Sequence, residues 1–91
     1  MANTRLEAIR SRLDDSLHPS VLELEDDSHL HVGHAGAREG RGHYRLRVVS
    51  PAFQGLRLVA RHQLIYRALG TLMQTDIHAL SITALAPGEP G

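Results

Sequence analysis

Histidine is the residue type in this sequence that points most directly to chemistry. The 91 residues include seven histidines and no cysteine, and His29, His31 and His34 lie close together, with His43 and His78 further along the chain. Neutral imidazole binds borderline metals and titrates near physiological pH, so this grouping indicates metal binding or proton chemistry. Because there is no cysteine, any soft-metal or iron–sulfur site must take its sulfur from another molecule.

The spacing His29-x-His31-x-x-His34 matches the zinc motif of metallo-β-lactamase-type hydrolases. That interpretation fails because the hydrolase fold needs roughly twice this length and further His and Asp ligands around a shaped cavity. The sequence also lacks a recognisable nucleophile–base pair, a phosphate-binding glycine loop and paired carboxylates beyond the solvated Asp26-Asp27. We therefore predict that the chain is not an enzyme and takes no small-molecule substrate.

Length and composition predict one small domain. A chain of this size buries only about 60–65% of its unfolded surface, which allows a single thin core layer. The lack of cysteine excludes disulfide scaffolds, Cys-type zinc modules and thiol catalysis. The polar N-terminal stretch predicts no signal peptide, and no apolar run reaches membrane-spanning length. We therefore expect a cytoplasmic protein with no membrane partner.

The charges are unevenly distributed along a chain whose net charge is zero. Residues 1–37 carry three Arg against seven acids, for a net charge of −4. Residues 38–67 carry seven Arg against Glu39 alone, for a net charge of +6. This basic stretch has two open interpretations, a surface for an acidic partner or phosphates and an arginine-rich solvated face.

The first half of the chain predicts a helix followed by two strands. Thr4-Arg5-Leu6-Glu7 fits a capping box, and apolar residues at helical spacing then continue a helix over about residues 4–17. Alternating apolar residues predict a strand at 21–25 and a second strand at 44–49, paired antiparallel. The stretch 26–42 between them has no apolar period and is predicted to be a long functional loop.

The second half predicts a crossover unit. Ser50-Pro51 starts a helical turn that ends at Gly55, and a long helix follows over about residues 58–74. A third strand at 77–85 is predicted with His78, Leu80, Ile82 and Ala84 on one face. Right-handed crossover makes this strand parallel to the second one. The predicted fold is thus a single α/β (α+β) domain of order α-β-β-α-α-β, with a three-stranded mixed sheet, helices on one face, a core at about 4–86 and a flexible tail at 87–91.

Seven short motifs over about residues 5–86 together resemble the BolA family. They occur in the order Asp26-Asp27-Ser28-His29, Gly33-His34-Ala35, His43-Tyr44, Val48-Val49-Ser50, Phe53-Gln54-Gly55, Arg61-His62-Gln63-Leu64-Ile65-Tyr66 and Ile77-His78-Ala79-Leu80. Each motif alone is weak, whereas the F-x-G, R-H-x-x-x-Y and I-H-A-L pieces at these spacings are specific as a set. The resemblance implies an α/β domain of the class II KH-like type, in agreement with the element order above.

The resemblance also implies a shared iron–sulfur cluster. BolA-like proteins pair with monothiol glutaredoxins, and the pair holds a [2Fe–2S] cluster for which the glutaredoxin and its glutathione supply thiolates. Carried over to this chain, the histidine ligands are His78 and His34, with His31 and His29 as alternatives in the same loop, and no cluster is expected on the isolated chain. His43 is interpreted as a cross-strand or supporting residue. The partner-binding surface is assigned to Arg61, His62 and Tyr66.

The family is also known for transcriptional regulators that bind DNA, which gives the alternative function. Arg57, Arg61 and Arg67 on or near the long helix would then face phosphates. The segment Gly55-Leu56-Arg57 departs from the GXXG loop with which KH domains grip nucleic acid, and Gln63 stands where the family usually has a basic residue. DNA binding is therefore the second hypothesis, after an adaptor role in iron–sulfur cluster assembly or trafficking and iron homeostasis.

Overall fold

The structure, a computed structural model, describes residues 4–28 and 42–91 of the chain. Its elements in chain order are α1 (Thr4–Leu17), β1 (Val21–Asp26), β2 (Gly42–Val49), a 3₁₀ turn (Pro51–Phe53), α2 (Leu58–Leu69), α3 (Leu72–Thr75) and β3 (Ile77–Leu85). The loop histidines His29, His31 and His34 lie outside the described residues. Among the helices of the described part, none is long and apolar enough to cross a membrane.

The three strands form one sheet in the order β1-β2-β3. β1 runs antiparallel to β2, with Leu24 opposite Leu46, and β3 runs parallel to β2, with Ile82 opposite Leu46. This arrangement confirms the predicted mixed sheet and the α+β class. Because β2 and β3 are parallel, both strands begin at the same end of the sheet, and α2 is the crossover between them.

The core lies between the helices and one face of the sheet. α1 contributes Ile9, Leu13 and Leu17 at helical spacing, and α2 contributes Ile65 and Leu69. The remaining apolar core side chains come from the strands, the 3₁₀ turn and the residue after β3, namely Tyr44, Leu46, Val48, Phe53, Ile77, Ala84 and Ala86. The apolar pattern at period two in β2 and near 3.6 in the helices therefore predicts which side chains are buried.

The helix ends are set by local backbone geometry. α1 ends where His18 adopts a positive φ of 45° before Pro19, since that conformation stops the helix. The predicted long helix 58–74 is wrong in its length, because α2 ends at Leu69 and Gly70 adopts a φ of 54°. Gly70 N donates to Tyr66 O at 2.9 Å, and the short helix α3 follows from Leu72.

The C-terminal tail is held to the domain at one residue. The sequence predicts a flexible tail from residue 87, yet the Glu89 carboxylate accepts hydrogen bonds from Arg61 and from the Ala86 backbone N–H, the latter at 3.0 Å. Glu89 thus attaches the tail to the domain, and the flexibility of residues 87–91 stays a prediction.

Ser50 is a buried polar residue that joins four elements. Its side chain is fully buried, and its Oγ donates to Leu17 O at 2.6 Å and accepts from Ala52 N at 3.1 Å. Its backbone N–H donates to Leu85 O at 2.9 Å. The residue thereby connects the end of α1, the end of β2, the 3₁₀ turn and the end of β3.

We expect Ser50→Ala to lower the free energy of unfolding by about 1–3 kcal/mol, because it leaves the buried Leu17 carbonyl and Ala52 N–H unsatisfied. Urea denaturation followed by far-UV circular dichroism measures this loss. Ser20→Ala is the matched control, since Ser20 is exposed and its Oγ makes only a 3.4 Å hydrogen bond to Val49 O. Equal effects of the two substitutions would contradict the role assigned to Ser50.

Candidate functional site

The start of β3 contains a bulge that exposes His78. Gly42 of β2 pairs with Ile77, but the next residue, His43, pairs with Ala79, so His78 is the extra residue. Ile77 is 1% exposed and occupies the core, whereas the His78 side chain is exposed. The predicted alternation that placed His78 on the face of Leu80 is therefore interrupted. The bulge presents the His78 imidazole to solvent.

His43 supports His78 from the neighbouring strand. The two imidazole rings lie with their centroids 5.0 Å apart and their planes tilted by 53°. His43 is only 7% exposed, and its backbone is held on both sides, because its N–H donates to Ser28 Oγ at 3.0 Å and its carbonyl accepts from Asp27 N at 2.8 Å. The structure thus shows the cross-strand position predicted for His43.

The two residues that flank the segment 29–41, Ser28 and Gly42, lie beside this histidine pair. Ser28 contacts His43 at one end, and at the other end Gly42 N donates to Asp76 O, directly before β3, at 2.9 Å. Ser28 and Gly42 therefore both lie at the end of the sheet that carries His78.

A polar network under α1 fixes the residue that precedes β3. Arg5 Nε donates to Asp76 Oδ2 at 3.1 Å, and Thr75 Oγ1 donates to the other carboxylate oxygen. The hydrogen bonds from Thr75 and Arg5 lower the pKa of the Asp76 carboxyl, so it stays ionised and paired at neutral pH. Because Asp76 also accepts from Gly42, the network ties α1 to the starts of both parallel strands.

Tyr44 completes this network from the core side. Its side chain is 3% exposed and hydrogen-bonds Arg5, and burial raises the pKa of its hydroxyl. A side chain at Gly42 would overlap the Tyr44 ring, since a Cβ built there lies 2.5 Å from Tyr44 Oη. Any larger residue at position 42 would therefore require the Tyr44 side chain to shift.

The site offers one exposed imidazole rather than a closed metal cage. Within the described part of the chain, no group of three or more His, Asp or Glu side chains is arranged to hold a metal ion. Next to the histidines, the surface forms a groove of about 340 Å³ lined by Asp27, His43, Tyr44, Arg45, Ala79, Leu80 and Ser81. An exposed imidazole such as that of His78 can serve as one ligand of a metal centre whose other ligands come from elsewhere.

Arg61, assigned from sequence to partner and DNA binding, is engaged within the domain. Its Nε donates to Leu56 O at 2.9 Å, its Nη1 to Ala84 O at 3.1 Å, and both Nη atoms to the Glu89 carboxylate. Only 11% of its side chain is exposed. Sequence reasoning missed this pairing because Glu89 is far along the chain and lies in a glycine- and proline-rich tail.

The other predicted surface residues of α2 are more accessible. Tyr66 is 43% exposed and packs edge-on against His62, with their ring centroids 6.5 Å apart. Leu58 and Val59 at the start of the helix are also largely exposed. Partner binding by His62 and Tyr66 stays a prediction.

The basic stretch of the sequence is partly neutralised by folding. On the open face of the sheet, Arg45 lies 3.0 Å from Asp27 and 3.6 Å from Glu25, and Arg47 lies 3.9 Å from Glu23. With Arg61 paired to Glu89, three of the five arginines of the basic stretch that the structure describes face acids. Arg57 and Arg67 are exposed, and DNA binding through them stays a prediction.

The architecture defines the class of protein. A crossover unit β2-α2-β3, an antiparallel first strand and an exposed histidine at the start of β3 make up an α+β domain of BolA type. The family model described as BolA-like protein matches residues 13–89, and the chain belongs to this family.

Similar proteins agree in sequence and structure. The chain is 48% identical over 86 residues to SufE-like protein 1, chloroplastic/mitochondrial, of Arabidopsis thaliana, covering 89% of this chain and 23% of that protein. It is 39% identical over 88 residues to Protein BOLA1, chloroplastic, of the same plant, covering 93% of this chain and 55% of that protein. The structure of the BolA domain of SufE1 from Arabidopsis thaliana superposes with a TM-score of 0.86 at 44% identity, covering 99% of this chain and 100% of that domain.

The similar proteins support the predicted family but leave the predicted location untested. They confirm the family and identify no catalytic family. The chain spans about a quarter of SufE-like protein 1 and just over half of Protein BOLA1. Because these two relatives are named as chloroplastic or mitochondrial proteins, the cytoplasmic location of this chain stays a prediction.

The Arg61–Glu89 pair gives a pH-dependent contribution to stability. Hydrogen bonds from Arg61 and from the Ala86 backbone lower the pKa of the Glu89 carboxyl from 4.5 to about 2. A carboxyl whose pKa is lower in the folded state stabilises the fold above its unfolded pKa, and this contribution is lost as the pH falls through the folded value.

We therefore expect Glu89→Gln to lower the melting temperature at neutral pH, and we expect the difference from the wild type to shrink between pH 4.5 and about 2. Thermal unfolding followed by circular dichroism across this range measures the difference. Glu23→Gln is the control for loss of one surface carboxylate, since Glu23 lies 3.9 Å from Arg47 on the open sheet face. A Glu89→Gln effect that is constant with pH would contradict the assigned ion pair.

Proposed function

We propose that this chain is a non-catalytic adaptor in iron–sulfur cluster assembly or trafficking and in iron homeostasis. It shares a [2Fe–2S] cluster with a monothiol glutaredoxin, to which it contributes His78 and one histidine of the loop, His34. The glutaredoxin and its glutathione supply the thiolates.

The exposed imidazole of His78 is the observation that carries this proposal. The bulge at the start of β3 turns His78 outward, and the buried ring of His43 packs against it. An isolated surface histidine has no need of such support, whereas a metal ligand gains affinity when its ring orientation is fixed.

The positions of Ser28 and Gly42 support the choice of a second ligand from residues 29–41. Ser28 and Gly42 hold the two ends of this segment at the His78 end of the sheet. His29, His31 and His34 all lie in the segment, and the family motif Gly33-His34-Ala35 favours His34 among them.

The composition of the chain requires a partner for such a centre. With no cysteine, this protein can contribute only histidines. When bound, a [2Fe–2S] cluster that has imidazole in place of thiolate has a raised reduction potential and is more readily passed on. Membership of the BolA family and similarity to proteins named SufE-like and BolA1 support the same assignment.

The test is co-purification of this chain with a monothiol glutaredoxin, glutathione and iron, followed by visible circular dichroism. We expect the wild-type complex to give a cluster spectrum that His78→Ala changes, together with faster cluster loss, because one ligand is missing. We expect His34→Ala to have a similar effect, and His29→Ala and His31→Ala smaller ones.

His18→Asn is the matched control, because His18 is an exposed histidine of positive φ after α1, a conformation that asparagine tolerates. An unchanged spectrum and unchanged cluster lifetime in His78→Ala would show that the ligand assignment is wrong. Failure of the wild-type chain to co-purify with the glutaredoxin would contradict the partnership itself.

A further inference from the structure

The outward backbone groups of β3 are hydrogen-bonded at the C-terminal end of the strand but have no partner among the described residues in its middle. Leu85 O accepts from Ser50 N on the β2 side. Since successive residues of a strand direct their backbone groups to opposite edges, the groups of Ala84 and Ala86 point outward. Arg61 Nη1 satisfies Ala84 O, and the Glu89 carboxylate satisfies Ala86 N. The Arg61–Glu89 pair therefore caps the C-terminal end of this edge.

The backbone groups of Leu80 and Ile82 point to the same outer edge as those of Ala84, but no side chain of the described residues hydrogen-bonds them. Within residues 4–28 and 42–91, no hydrogen bond reaches their outward N–H and C=O groups. Their side chains lie on the core face yet are only half-buried, whereas Ala84 beside the cap is 3% exposed. The middle of the edge thus leaves both backbone groups and apolar side chains incompletely covered.

The two edges of the sheet differ in charge. β1 carries Glu23, Glu25 and Asp26, so a second β1 strand beside it would bring acids together. β3 has no charged residue between Ile77 and Leu85. Natural proteins protect exposed edges with charges, prolines or covering segments, and an uncharged open edge is a template for another strand.

We propose that the open edge of β3 pairs with the same edge of a second copy of this chain. In antiparallel pairing about a two-fold axis at Ser81, Leu80 of one copy lies opposite Ile82 of the other, and these residues exchange both backbone hydrogen bonds. The partner is a second copy because its β3 edge is equally uncharged and its outward N–H and C=O groups meet those of the first copy by symmetry. The net charge of the chain at pH 7 is zero, so charge repulsion does not oppose association.

The proposed dimer joins two three-stranded sheets into one continuous sheet. Its contact is confined to one strand pair and the half-buried Leu80 and Ile82 side chains, so it falls at the small end of specific interfaces and is weak. The dimer fraction therefore rises with protein concentration. This inference goes beyond the cluster-sharing function and does not depend on it.

Ser81 provides the test, because its side chain is exposed on the open face and lies opposite its own copy at the two-fold axis. Cβ atoms of directly opposite residues lie about 4.5–5.5 Å apart. We expect Ser81→Lys and Ser81→Glu each to weaken the dimer by at least about tenfold through like-charge repulsion. An equimolar mixture of the two variants is expected to restore dimers, because Lys then faces Glu.

Sedimentation velocity of the chain alone, from micromolar to millimolar concentration and with EDTA, measures the dimer fraction. EDTA separates the strand-paired dimer from dimers bridged by metal ions on histidines. Gln63→Lys is the matched control, since it adds the same charge at an exposed position of α2 and is expected to dimerise like the wild type. Unchanged melting temperatures verify that the variants fold.

Three results would overturn the proposal. A wild-type chain that is monomeric at all concentrations in EDTA shows that the edge does not pair with a second copy. Ser81→Lys dimers as stable as the wild type place the contact elsewhere. A mixture of the Lys and Glu variants that stays monomeric excludes the symmetric arrangement at Ser81. Each result leaves the glutaredoxin complex to be judged by its own co-purification test.

Discussion

The parallel pairing of β2 with β3 is the constraint on which the rest of the structure depends. A parallel pair needs a crossover, and α2 provides it by burying Ile65 and Leu69 against the sheet. As a result, the starts of both strands lie at one end, where Gly42 N bonds Asp76 O. Gly42 at the start of β2 and His78 near the start of β3 are therefore brought together by topology, although they are far apart in sequence.

The sequence predicts those features that depend on periodicity and local geometry. The spacing of Ile9, Leu13 and Leu17 gives α1, and Pro19 marks its end. The fold class and the family follow from these elements and from motifs. Other features depend on contacts that no local pattern records. The bulge at His78 comes from a shift of one residue in strand pairing, and the Arg61–Glu89 pair joins α2 to residues that follow β3. Gly70 could be accommodated within a helix at small cost, so its positive φ was not evident from the sequence.

The charge of the folded surface likewise depends on contacts that the sequence does not record. The stretch 38–67 has a net charge of +6 in sequence, but antiparallel pairing places the acids of β1 beside Arg45 and Arg47. Charge counted along a segment therefore overstates the charge of the folded surface. By contrast, the composition-based constraint on sulfur is independent of folding, because a residue type that is absent cannot be supplied by any arrangement of this chain.

The position of Ser50 has a consequence for how the domain opens. Its three hydrogen bonds reach Leu17, Ala52 and Leu85, which belong to parts of the chain that are distant in sequence. Fraying of α1 or of the 3₁₀ turn breaks a hydrogen bond to the Ser50 side chain, and fraying at the end of β3 breaks the hydrogen bond from the Ser50 backbone N–H. Ser50 therefore couples the first helix to the last strand, and we expect amide protons near this junction to exchange slowly, because both elements must open before these protons reach solvent.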